Sequence, residues 1–169
     1  AWATPVKLDD ETGALEVSVF EESGKINLNS LVQPNGEFEP FTLAALTRLG
    51  TRLQVPGDSW NCLADWLDND DQTRSNGAEA PFYRSQKTPY DPRNGKLATF
   101  IELSLIKGFT SESIARLKPF VTIHADQAGA PLPRVNINTA SKEVLAALDD
   151  GIDERMAERI LEERRLKPF

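Results

Sequence analysis

Alternating apolar and polar positions mark the first thirty residues, and a helical period marks most of the chain beyond them. "ALEVSVF" at 14–20 alternates and is rich in β-formers, which predicts a strand. "EESG" turns the chain, and "KINLN" predicts a second strand pairing back on the first. "EPFTLAALTRLGTRLQV" then sets Phe41, Leu46, Leu49 and Leu53 on one helical face, with Pro40 ahead of the helix and Pro56-Gly57 ending it. "GDSWNCLADWLDND" predicts the next helix, capped by Asp58 or Ser59, with Trp60, Leu63 and Leu67 as its stripe. Periodicity is then lost over 68–96, where Pro81, Pro89, Pro92 and the turn signal Asn94-Gly95 predict a long irregular connection. "LATFIELSLIK" predicts a helix to about Lys107, stopped by Gly108, and Thr110 or Ser111 opens a short second one. "VTIHAD" is strand-like and "QAGAPLPR" is a loop. The C-terminal stretch predicts helix, turn at Gly151, helix, with Thr139 or Asn138 capping the first and Met156, Ala157, Ile160 and Leu161 facing inward on the second.

Two internal echoes run through this pattern. "GKINLNSL" and "RVNINTASKEVL" both alternate apolar and Asn and then give Ser or Thr. Asn, Ser and Thr side chains hold turns and cap helices, so a structural role is expected of both. "ELSLIKGFTSESIARLKPF" and "EVLAALDDGIDERMAERILEERRLKPF" share helix, Gly, helix and a closing "LKPF". Each such unit is too small to bury its own apolar face, so both are expected to pack on neighbours in one helical domain.

Length and charge narrow the partners. A chain of 169 residues suits one compact domain or two small ones. A net charge of −7 repels phosphate backbones. The lone Cys62 cannot form an internal disulfide and reads as a small buried hydrophobe. No apolar run approaches the roughly 18 residues of a membrane span.

The clearest candidate chemistry is "DNDDQTRSNGAE". Counted from Asp68, Asp70 is third, Gln72 fifth, Arg74 seventh, Asn76 ninth and Glu79 twelfth, which is the ligand spacing of an EF-hand loop. A hard cation wants six to eight oxygens, and alternate residues of a tight loop supply them. Position seven needs only a backbone carbonyl, so Arg74 fits there. Thr73 stands where the pattern wants Gly, and Pro81 is expected to break any exiting helix. Asp65 and Asp71 are further acids within reach. Four of the five acids between 65 and 79 crowd into Asp65–Asp71, where they repel one another without a cation. The expectation is calcium, weighed against a merely solvated acidic turn. Zinc is disfavoured because His124 and Cys62 stand alone and far apart.

No catalytic set is legible. His124 is the single histidine, reads as structural, and leaves no triad, phosphate loop or dinucleotide fingerprint, so a periplasmic hydrolase is the weakest reading. The alternative function is nucleic-acid binding, because "VNINTASKEVLAALDDGIDERMAERILEERR" resembles the helix–hairpin–helix module of DNA-uptake and repair proteins. Against it, the hairpin is "DDGID", its second Gly is replaced by Asp153, and Asn136–Phe169 carries eight acids and six bases. Carboxylates at a phosphate site oppose binding.

Four blocks in order are similar to one family: "SGKINLNSL", "LADWLDNDD" with "NGAE" and an aromatic pair, "PYDPRNGKLATFIELSLIKG" and "VNINTASKEVLAAL". Across most of 14–165 the chain resembles the K-type minor pseudopilin of type II secretion systems. The resemblance implies a non-enzymatic structural protein at the tip of a periplasmic pseudopilus, held there with other minor pseudopilins. It implies a calcium-binding inserted domain, with family acids matching Asp68, Asp70 and Glu79. It implies the periplasmic part of an inner-membrane-anchored protein of a Gram-negative bacterium. The N-terminal membrane helix of such proteins does not occur in these residues. The expected fold class is α+β, mostly helical, with helix–hairpin–helix-like units inserted in a partial pilin-like sheet. Residues 1–30 and 119–136 would be sheet remnants, 31–118 the inserted helical domain with the calcium loop, and 137–169 a helix–hairpin–helix-like unit packed on it.

Overall fold

The computed structural model describes residues 6–10, 13–17, 21–124 and 134–169. Among these residues the fold is mostly helical with two small two-stranded sheets. β1 (Val6–Asp10) pairs antiparallel with β2 (Gly13–Val17), in a register that sets Val6 opposite Val17. The β2 side chains are exposed.

Among the described residues, the predicted return of "KINLN" onto "ALEVSVF" does not occur. β3 (Ile26–Asn27) instead pairs parallel with β4 (Val121–Thr122). Parallel pairing requires a crossover, and here the helices between residues 28 and 120 supply it. Residues 18–20 of the predicted first strand, Ala125 and Asp126 of "VTIHAD", and most of the "QAGAPLPR" loop lie outside the described residues.

Between these strands run α1 (Pro40–Arg52), α2 (Asp58–Leu67), α3 (Ala80–Arg84) and α4 (Ser111–Leu117). Glu39 caps α1 by accepting from the Phe41 and Thr42 amides at 3.3 and 2.7 Å, and Pro40 takes the first helical position, where no N–H is needed. Thr42, Ala45, Leu46 and Leu49 form the buried stripe of α1. Phe41 was expected in that stripe but lies one position off it and is 40% exposed. α2 buries Trp60, Leu63 and Leu67 as predicted, and also Asp65. Pro81 does not break the chain after Glu79. It sits in the first turn of α3, where proline is tolerated. The helix predicted up to Lys107 is instead a 3-10 segment, Phe100–Leu105, opened by Glu102, whose carboxylate accepts the Ala98 and Thr99 amides.

Beyond β4, α5 (Lys142–Leu148) packs on α1 and α6 (Glu154–Leu166). Ser141 caps α5, not Thr139 or Asn138, by accepting the Val144 amide at 3.2 Å. On α6 only Ala157 is fully buried, and Met156, expected inward, is 41% exposed. The two "LKPF" endings also part company. Leu117 is fully buried, whereas Leu166 is 85% exposed.

The Asn echo is a real structural repeat. Asn27 Oδ1 accepts from the Asn29 amide at 2.9 Å, and Asn136 Oδ1 accepts from the Asn138 amide at 3.0 Å. The second Asn of each copy then clamps a distant backbone with both ends of its amide. Asn29 holds the N–H and C=O of Leu97, and Asn138 those of Phe169. The pattern serves packing.

Candidate metal centre

The centre forms where α2 ends and α3 begins. Asp65 and Asp68 are three apart on a helix, so one turn brings them to the same face. Both sit at the C-terminal end of α2, where the helix dipole already disfavours negative charge and the last turn holds no basic residue. The loop returns to place Glu79 at the start of α3. One carboxylate oxygen from each of Asp65, Asp68 and Glu79 lies within 4.8 Å of the others, and all three residues are buried.

The three acids are not equivalent. Asp65 is satisfied by the protein: Oδ2 accepts the Ala78 amide at 2.8 Å and the Arg74 amide at 3.2 Å, and Oδ1 accepts Arg74 Nη1 at 2.7 Å. Gly77 is required here, because a Cβ would overlap Asp65 Oδ2. Among the described residues, Asp68 Oδ2 accepts from Arg74 Nη1, but Asp68 Oδ1 has no partner. Neither carboxylate oxygen of Glu79 has one either. Three orphaned, buried carboxylate oxygens facing one another would be costly by themselves. Their chemistry, hard and anionic, suits a calcium-like cation. Burial first, and then the charges of Asp65, Asp68, Asp71 and Asp70, push the Glu79 carboxyl up to about 7. Burial also raises Asp68, against the pull of Arg74.

Of the residues singled out by spacing, the structure brings Asp68 and Glu79 together, the first and twelfth positions. Arg74 also enters the cluster, but through its guanidinium, and its carbonyl accepts the Gly77 amide at 2.8 Å. Asp70, Asp71, Gln72 and Asn76 lie exposed on the outer side of the loop. Asp70 Oδ1 accepts the Gln72 amide at 2.7 Å, and Asn76 takes a left-handed backbone with φ of 58°. Asp65, outside the twelve-residue frame, is the central acid, and its signal was helical spacing to Asp68.

The loop is anchored beyond its acids. Lys107 Nζ donates to the Asn76 and Gly77 carbonyls at 3.2 and 3.0 Å. Asn61 donates to the Ser75 carbonyl at 2.8 Å. Trp66 meets Tyr83 edge-on at 5.3 Å, Tyr83 lies 5.4 Å from Tyr90, and the Tyr90 hydroxyl donates to the Leu105 carbonyl. These contacts hold the irregular stretches on either side of α3.

The acidic hairpin between α5 and α6 is built differently. Asp149 Oδ1 accepts the Gly151 amide at 2.8 Å, and its carbonyl accepts the Ile152 amide at 3.1 Å. Asp150 pairs with Arg48, and Asp153 caps α6 through the Met156 amide at 2.7 Å. The hairpin amides that would meet a phosphate are already used, with carboxylates beside them.

Among the described residues, then, a largely helical insertion runs between two parallel strands, it holds a buried acid cluster, and no helix is long and apolar enough to cross a membrane. Family models described as "Type II secretion system (T2SS), protein K" match residues 24–126 and 135–169. The type II secretion system protein K of Pseudomonas aeruginosa is 36% identical over all of this chain and 50% of its own length. That of Klebsiella pneumoniae is 30% identical over 80% of this chain and 43% of its own length. A chain of the crystal structure of the GspK-GspI-GspJ complex from enterotoxigenic Escherichia coli superimposes with a TM-score of 0.72 at 27% identity, covering 86% of this chain and 54% of that one. The chain belongs to the type II secretion system protein K family. It spans about half the length of the curated relatives it matches.

Proposed function

We propose that the chain is the periplasmic part of a minor pseudopilin, anchored in the inner membrane of a Gram-negative bacterium, that assembles with other minor pseudopilins at the tip of the type II secretion pseudopilus and serves protein export. The observation that carries this reading is its likeness, over 86% of its length, to a chain of the GspK-GspI-GspJ complex. The role is mechanical. The helices between β3 and β4 form a bulky inserted domain, with 137–169 as a helix–hairpin–helix-like unit packed on it through α1 and α5. A body of that size does not fit along a filament of slender subunits, so it caps the end.

Calcium is the second part of the proposal. Asp68 and Glu79 would hold it through their unpartnered oxygens, with Asp65 completing the acidic wall. The ion would neutralise buried charge and tie α2 to α3, fixing the loop that covers this side of the domain.

The test is co-expression with the soluble parts of two partner minor pseudopilins from the same system, followed by size-exclusion chromatography with light scattering. A stable complex of one copy each is expected. A chain that elutes as a monomer beside both partners overturns the assembly reading. For calcium, calorimetric titration of chelator-treated protein is expected to give binding heat that Glu79→Ala abolishes. Equal heats for parent and variant would sink the site.

A further inference from the structure

The acid cluster carries a cation of its own. Arg74 Nη1 donates to both Asp65 and Asp68, while Nη2 donates to the Gly36 carbonyl. The guanidinium carbon lies 5.1 Å from the centre of the Phe38 ring. Arg74 is therefore gripped from two sides, by acids and by the turn that precedes α1. Burial opposes its charge, and the hydrogen bonds to Asp65 and Asp68 outweigh that and raise its pKa. With Glu79 ionised, three carboxylates and one guanidinium leave two uncompensated negative charges, on the side of the cluster where Glu79 and Asp68 Oδ1 have no partner among the described residues.

We propose, resting on the calcium reading above, that Arg74 is a resident counter-cation that divides the cluster: it keeps the loop folded when no ion is bound, and it trims the open half to the charge of a single divalent cation. The Asp65 half is then permanently closed by protein. The Asp68–Glu79 half is the exchangeable one. Arg74 also repels an arriving ion, so it tempers affinity and disfavours trivalent ions most, because the repulsion scales with the charge of the ion.

Arg74→Gln in the full chain removes the charge and keeps a hydrogen-bonding side chain. Calcium alone, and terbium(III) alone as the trivalent probe, are titrated into chelator-treated protein, and melting is followed in chelator and in calcium. R74Q is expected to melt lower than the parent in chelator and to recover most of the loss in calcium. It is expected to bind calcium about tenfold tighter and to raise the terbium-to-calcium affinity ratio. Arg74→Lys keeps the charge without the planar fork, and should return calcium affinity to within about threefold of the parent. Unchanged or weaker calcium binding in R74Q overturns the proposal. So does an equal loss of stability in chelator and calcium, a failure to fold even in calcium, or R74K binding as tightly as R74Q. If the parent itself gives no calcium heat, the calcium reading fails and takes this inference with it. If the parent binds and R74Q binds identically, the calcium reading stands and only the role of Arg74 falls.

Discussion

Two acidic turns of this protein look alike in sequence and are built in opposite ways. "DNDDQTRSNGAE" and "DDGID" each crowd carboxylates around a glycine and precede a helix. In the hairpin, every Asp has a protein partner: Asp149 holds the Gly151 amide, Asp150 meets Arg48, and Asp153 caps α6. In the loop after α2, three carboxylate oxygens are buried with no partner, and one glutamate is raised to about 7. Acid density therefore says little about ion binding. What separates the turns is burial together with a shortage of donors. The hairpin spends its charge on architecture, and the loop keeps charge that an ion can use.

The largest effect that would sharpen this contrast is Asp65→Ala. The substitution leaves the Arg74 and Ala78 backbone amides without their side-chain acceptor and takes one of the two carboxylates from the Arg74 guanidinium, so a loss of about 3–5 kcal/mol is expected by denaturant unfolding, in chelator and in calcium alike. A loss confined to calcium would mean that Asp65 serves the ion rather than the loop.

Glu79→Gln should break the contrast from the other side. At pH 8 and without calcium it removes a buried, unpartnered charge, so the variant should melt about 5 °C above the parent by calorimetry. It should also lose the calcium-induced rise. A variant that melts lower than the parent in chelator would show that the Glu79 charge is compensated in a way the geometry does not reveal.

The same residue sets a pH dependence. Its folded pKa of about 7 lies above the unfolded value of 4.5, so between these the folded state binds more protons. Stability of the chelated protein must then fall as pH rises from about 5 to about 7, the reverse of an ordinary paired carboxylate. With calcium the proton competes for the same oxygens, and the calcium-induced rise in Tm should grow over that range. Melting curves at three pH values with and without chelator check both signs. A flat chelated profile would place the Glu79 carboxyl in its ordinary range.

How much of this was readable in the sequence depended on the range of the signal. That Asp68 and Glu79 come together was legible because they stand first and twelfth in the EF-hand spacing. Asp65 stayed in the background because it belongs to a helix turn, outside that count. Asp70, Asp71, Gln72 and Asn76 are exposed, and the Arg74 guanidinium, not their side chains, meets Asp65 and Asp68, which spacing alone does not show. The β3–β4 pairing joins two-residue strands nearly a hundred residues apart, too short for any periodicity to announce. α3 was hidden by Pro81, whose helix-breaking reputation does not hold at the first turn. The helical stripes of α1 and α2 were legible because burial and period coincide over two or more turns, and Phe41 and Met156 fell at the edges of such stripes.

The smallest effect belongs to the hairpin. Asp153→Ala removes the oxygen that accepts the Met156 amide at the start of α6 and should cost about 1 kcal/mol. The position is exposed, so water can partly replace the lost acceptor and no buried group is stranded. The effect should be the same in chelator and in calcium, because α6 packs on α5 and the acid cluster lies at the junction of α2 and α3. Paired unfolding curves in the two buffers decide it. If Asp153→Ala altered the calcium response as Glu79→Gln should, the two acidic turns would be coupled and the division drawn between them would fail.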